Sequence, residues 1–153
     1  MESPSARRGS GSRSEIASLE LDHLVIAASD WERTRAFYAR VVGAEPVEFD
    51  SGRRALRVGE TQLNVHLAED LPRPGEEAIN LARILVAPGG SDLCLRWPGP
   101  IADAVEHLER LGVEVELGPV PRPGARGDGE SVYFRDPDAS LLELILLRLT
   151  DGG

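Results

Sequence analysis

Two glycines, Gly43 and Gly112, stand 69 residues apart, and at that offset the chain lies over itself. Gly43-Ala44-Glu45-Pro46-Val47 falls on Gly112-Val113-Glu114-Val115-Glu116. Each glycine follows an amphipathic stretch and suits the left-handed position that ends a helix. Each stretch follows an apolar run with strand character. A chain of 153 residues is enough for one domain or two very small halves, and the offset makes those halves a repeat.

The first half opens on Leu21-Asp22-His23-Leu24-Val25-Ile26-Ala27. Alternation places His23 with Leu21, Val25 and Ala27 on one face. Ser29 with Glu32 forms a capping-box pattern, so a helix is expected over about 30–42, with Ala36, Phe37 and Val41 among the residues facing the sheet. Strands are expected at 46–49, 55–58 and 62–67, with turns at Asp50-Ser51-Gly52 and Gly59-Glu60. Residues 68–90, rich in proline and glycine, read as a linker with room for a short strand or turn at 82–86. The second half gives a strand over 91–96, a helix over about 101–111, and strands at 113–117, 131–135 and 141–147. Residues 118–130 read as a loop that can hide one short strand. The fold class is therefore α+β, with two βαβββ modules at 19–67 and 91–148, forming one domain over 19–148 behind a disordered tail at 1–18.

Composition limits the functions open to such a chain. A formal net charge of −9 argues against nucleic acid and anionic membrane surfaces as partners. No apolar run nears the roughly 18 residues of a membrane span. One cysteine, Cys94, permits no intrachain disulfide, and the tail lacks the apolar core of a secretory signal, which together point to the cytoplasm. The chain has no lysine, so Schiff-base chemistry is excluded and anion binding falls to arginine.

The repeat assembles a candidate site. His23 carried forward by 69 residues lands on Asp92. His66 near the end of the first half is read as the counterpart of Glu143 near the end of the second. Gln62, Asn64 and His66 share one strand face, and Glu143 interrupts the apolar run 141–147. A carboxylate in such a run is paired with an arginine, turned to solvent, or bound to a metal. His23 is either a hydrogen-bonded core residue or a ligand. Two imidazoles and two carboxylates converging in one cup suit a divalent ion such as Zn, Ni, Mn or Fe(II). Arg57, Arg96, Arg122 and Arg126 are candidates for an anionic substrate, and Arg126 reads rather as solvated. Tyr133 either bonds a substrate oxygen or packs. Cys94 reads as an inert thiol, and His107 as a solvated residue of the second helix.

These residues resemble the vicinal oxygen chelate superfamily, to which glyoxalases, bleomycin-binding proteins and extradiol dioxygenases belong. The resemblance rests on the paired modules, on Leu21-Asp22-His23-Leu24-Val25, and on Phe37-Tyr38 in the first helix. It rests also on Ser131-Val132-Tyr133-Phe134-Arg135-Asp136-Pro137-Asp138 followed by Glu143. Leu63-Asn64-Val65-His66, Asp92-Leu93-Cys94-Leu95 and Pro119-Val120-Pro121-Arg122 are similar to the glyoxalase domain-containing protein 5 group. The resemblance implies an open eight-stranded cup around a divalent metal, with His23, His66, Asp92 and Glu143 as ligands. It implies a metal-dependent enzyme acting on a small oxygen-chelating substrate, in which Glu143 and Asp92 are catalytic and Asp92 is a fourth ligand or general base. Arg57, Arg96, Arg122 and Tyr133 would bind the substrate. The alternative is a non-enzymatic protein that sequesters a small antibiotic-like molecule. A homodimer is expected, the halves pairing within one chain or across two. Ala139 stands where the superfamily usually has glycine, so a positive φ there would strain the turn.

Overall fold

A computed structural model describes residues 18–76 and 78–148, so the expected tail at 1–18 lies, but for its last residue, outside the described residues. The first module runs β1 (His23–Ala28), α1 (Trp31–Val42), β2 (Glu45–Glu48), β3 (Arg54–Val58) and β4 (Thr61–Leu67). The second runs β5 (Asp92–Arg96), α2 (Ile101–Arg110), β6 (Leu117–Gly124), β7 (Gly127–Arg135) and β8 (Leu141–Leu147). The modules form separate four-stranded sheets of matching order, β1-β4-β3-β2 and β5-β8-β7-β6. In each, the first strand pairs in parallel with the fourth and the rest pair antiparallel. The expected α+β pair of βαβββ modules is the observed architecture.

Alternation gives each sheet two unlike faces. Ile26, Ala28, Leu63, Val65 and Leu56 of the first sheet, and Leu142, Leu144, Val132 and Phe134 of the second, join Tyr38, Val41, Ala104 and Leu108 of the helices in one core. The opposite faces, which carry His23 and Glu143, stay open. Asp30 rather than Ser29 caps α1, its side chain accepting from Arg33 N at 2.8 Å. The buried stripe is Trp31, Thr34, Tyr38 and Val41; Phe37 packs at its margin and Ala36 is exposed. Gly43 ends the helix at φ 67°, as its position before β2 predicts.

Three further expectations are corrected. The strand expected at 113–117 starts instead at Leu117 and runs through the proline-rich stretch to Gly124, pairing with β7 in a hairpin closed at Gly124 and Gly127. Pro119, Pro121 and Pro123 fit there because β6 is the outermost strand, where only one edge of the backbone must donate to a ladder. No strand forms at 82–86; beyond a 3-10 turn at Ala68–Asp70, the linker is irregular among the described residues. His107 is not solvated: its Nε2–H donates to the Val41 carbonyl at 2.7 Å, and its ring lies 5.5 Å from that of Trp97.

The modules are also joined by one turn. Asp136 accepts from Tyr38 Oη at 2.9 Å and from the backbone N–H of Asp138 and Ser140. Asp138 accepts from Ser29 N at 3.0 Å and Arg33 Nη2 at 3.1 Å. Burial, with the Asp136 carboxylate beside it, pushes the Tyr38 hydroxyl far up, so it stays a neutral donor. No described helix is long and apolar enough to cross a membrane.

Candidate functional site

The open face of the first sheet borders a cavity of about 920 Å³, lined by His23, Val25, Gln62, Asn64 and His66 and by the linker residues Asn80 and Leu81. The expected shared face of Gln62, Asn64 and His66 is thus observed. His23 sits at the head of edge strand β1 with its side chain 48% exposed. Its Nδ1 lies 2.7 Å from Asp22 Oδ2, which holds the ring by one nitrogen and leaves Nε2 free. Sequence reasoning passed over Asp22, although a carboxylate next to a strand histidine is the signal for such an orienting pair.

The open face of the second sheet carries Asp92, Cys94, Glu143, Ser131 and Tyr133. Cys94 faces Glu143, and Tyr133 faces Glu143 from the other side. The buried Ser131 donates its hydroxyl to Glu143 Oε2 in a short bond, and the carboxylate lies beside Cys94 and Tyr133. Glu143 is therefore partly buried on a central strand and, among the described residues, not paired with an arginine. Partial burial pushes the Cys94 thiol up to about 12, with the Glu143 and Asp92 carboxylates adding to the effect. The thiol is protonated at neutral pH, in keeping with the inert role expected for it. Burial also raises the Tyr133 hydroxyl, opposed by the hydrogen bond from Arg122 and reinforced by Glu143. Among the other residues expected to bind substrate, Arg57 lies on the first sheet's open face, its Nε 3.5 Å from Gln62 Oε1, and Arg96 is exposed at the end of β5.

Register decides which residues correspond. His23 pairs with Gln62 and Val25 with Asn64 in the first sheet; Asp92 pairs with Leu141 and Cys94 with Glu143 in the second. His23 and Asp92 are equivalent, as the repeat predicts. The counterpart of Glu143 is Asn64, two residues before His66, which corresponds to Ile145. His66 pairs with Ala27, four residues along β1 from His23, a separation of about 13 Å along the strand.

The four expected ligands do not meet within one chain. Among the described residues, no three His, Cys, Asp or Glu side chains stand together as a metal cluster. The cavity beside His23 is lined by the first module and the linker alone. Each sheet is backed by the shared core, so the face that carries His23 or Glu143 turns away from it.

The model of the Glyoxalase/Bleomycin resistance protein/Dioxygenase superfamily matches residues 20–144. The chain is 41% identical over 130 residues to glyoxalase domain-containing protein RDO1 of Mycosarcoma maydis, covering 85% of this chain and 69% of that one. It is 37% identical over 124 residues to virulence protein STM3117 of Salmonella typhimurium, covering 81% of each. An integron cassette protein from the mobile metagenome of V. cholerae superposes with a TM-score of 0.75 at 37% identity, over 87% of this chain and 98% of the other.

Proposed function

Because the chain belongs to the Glyoxalase/Bleomycin resistance protein/Dioxygenase superfamily, we propose that it is a metal-dependent enzyme acting on a small substrate that chelates through neighbouring oxygens, with each site shared between two copies of the chain. One observation carries this reading. His23 and Glu143 each have one polar atom fixed by a partner, Asp22 and Ser131, and each lies on an open sheet face. That is the arrangement of ligands oriented from behind, and imidazole with carboxylate suits Zn, Ni, Mn or Fe.

In this reading His23 from one copy and Glu143 with Asp92 from the other hold the ion. A divalent ion bound there supplies Lewis-acid polarisation of the substrate oxygens. Asp92, exposed on edge strand β5, takes the fourth position or accepts a substrate proton. The first sheet adds Asn64, at the register position matching Glu143, while His66 lines the same cavity further along and faces the substrate. Tyr133, opposite Glu143, offers a neutral hydroxyl to a substrate oxygen. The homodimer follows from the split cup, since neither face alone presents enough donors.

A mixing experiment with cobalt(II) tests this. His23→Ala and Glu143→Gln homodimers each take up no stoichiometric metal. Unfolded and refolded together, they regain about a quarter of wild-type uptake, because half of the dimers are mixed and each mixed dimer has one intact site. No recovery overturns the shared site. Wild-type protein that takes up none of the four metals overturns the metal reading. The second reading, sequestration of a small molecule in the same cup, is favoured by one observation: a weak amide donor, Asn64, where the repeat has a carboxylate.

A further inference from the structure

We infer that the second half of the cup is an anion receptor, and that the ligand carries a carboxylate or phosphoryl group which Arg122 receives. The inference rests on the reading of the cup as a small-molecule site, but not on the metal.

Arg122 stands on β6, opposite Gly129, on the face that carries Ser131 and Glu143. Its Nε donates to Tyr133 Oη at 2.9 Å, and its Cζ lies 5.5 Å from the Tyr133 ring centroid. Its Nη1 donates to the Pro121 carbonyl at 2.9 Å. Three contacts therefore fix a half-buried guanidinium whose Nη2 is uncommitted among the described residues. Every one of these partners is uncharged. Burial sets Arg122 apart: the eight other described arginines without a carboxylate within ion-pair distance, such as Arg40, Arg53 and Arg110, are all exposed, whereas Arg122 is half-buried. Arg33, Arg35, Arg54, Arg135 and Arg148 each lie within ion-pair distance of a carboxylate, in a chain with 26 acidic and 17 basic residues. Arg122 has no such partner among the described residues. A cation that is held rigid, partly desolvated and left without a counter-ion on the sheet face of a candidate metal carboxylate is preorganised for an anionic guest. Arg57 and Arg96 are exposed and lack this support.

The test measures binding of malonate, inorganic phosphate and uncharged malonamide by calorimetry, on protein held in chelator and again on protein loaded with cobalt(II). Wild type binds at least one of the anions in both states and does not bind malonamide. Which anion binds more tightly separates carboxylate from phosphoryl ligands. Arg122→Gln lowers the affinity about tenfold or more, and Arg122→Lys retains part of it. Tyr133→Phe gives a smaller loss, and Arg126→Gln none. Anion affinity unchanged in Arg122→Gln overturns the inference, as does equal binding of malonamide. Arg122-dependent anion binding by a protein that takes up no metal upholds the receptor while the metal reading falls. Metal uptake with Arg122-independent anion binding does the reverse.

Discussion

Asn64 occupies in the first sheet the register position that Glu143 occupies in the second, and it stands two positions before His66. The repeat therefore offers an amide where a second carboxylate would make the site symmetrical. The imidazole that looked equivalent in sequence stands one residue pair further along the same face.

This arrangement predicts an order among metal-uptake variants. His23→Ala and Glu143→Gln abolish stoichiometric binding of cobalt(II). Asp22→Asn weakens it by about 10- to 100-fold, because Nδ1 of His23 loses the carboxylate that orients the ring. His66→Ala retains it. Elemental analysis with a titration of the cobalt d–d bands reads all four. Loss of metal in His66→Ala to the same degree as in His23→Ala would return His66 to the ligand set.

Much of this was legible in sequence, because the informative signals are local. The apolar runs of β1, β4 and β8, the glycine closing α1, and the offset joining His23 to Asp92 all follow from neighbours in the chain. What escaped is non-local. The choice between Asn64 and His66 depends on how β4 slides against β1, and both residues share the face that alternation predicts. The prolines of β6 read as a loop until its place at the sheet edge is known. Asp136 and Asp138 read as a turn, and only the packed helix α1 gives them Tyr38, Ser29 and Arg33 as partners.

Tyr38 and Asp136 lie on different modules, so their hydrogen bond ties the halves. Tyr38→Phe removes the donor while Asp136 keeps the N–H groups of Asp138 and Ser140. The variant loses about 1–2 kcal/mol, visible as a lower urea midpoint with an unchanged slope. A larger loss is expected for Asp136→Ala, which leaves a buried hydroxyl and two backbone donors unpaired.

Cys94 gives the pH-dependent prediction. With its thiol near 12 in the folded protein, the thiolate fraction at pH 8 is on the order of one in ten thousand, against about a quarter for a free cysteine. Alkylation by iodoacetamide in chelator is correspondingly slow at pH 8 and still rising at pH 11. Glu143→Gln speeds it by removing a neighbouring negative charge. The linked stability has a definite sign. The folded state holds this proton more tightly than the unfolded state, so the contribution is complete below about pH 9 and is lost as pH rises towards 12.

Ala139 adopts φ 69° in the turn between β7 and β8, the one described non-glycine residue at positive φ. The turn is held in that shape from outside. Ala139 N donates to the Asp136 carbonyl, Ser140 N donates to the Asp136 carboxylate, and Arg135 Nη1 donates to the Ala139 carbonyl. None of these bonds uses the Ala139 side chain, so all survive replacement by glycine. The exposed methyl group contributes little packing. Ala139→Gly therefore relieves the left-handed strain, which outweighs the extra freedom that glycine gives the unfolded chain, and stabilises the protein by about 0.5–1 kcal/mol. For a domain of this size the melting temperature rises by about 2–4 °C. Ala139→Val, with its branched side chain at the same φ, moves it the other way. An Ala139→Gly protein that melts no higher than wild type would mean that the turn relaxes without cost.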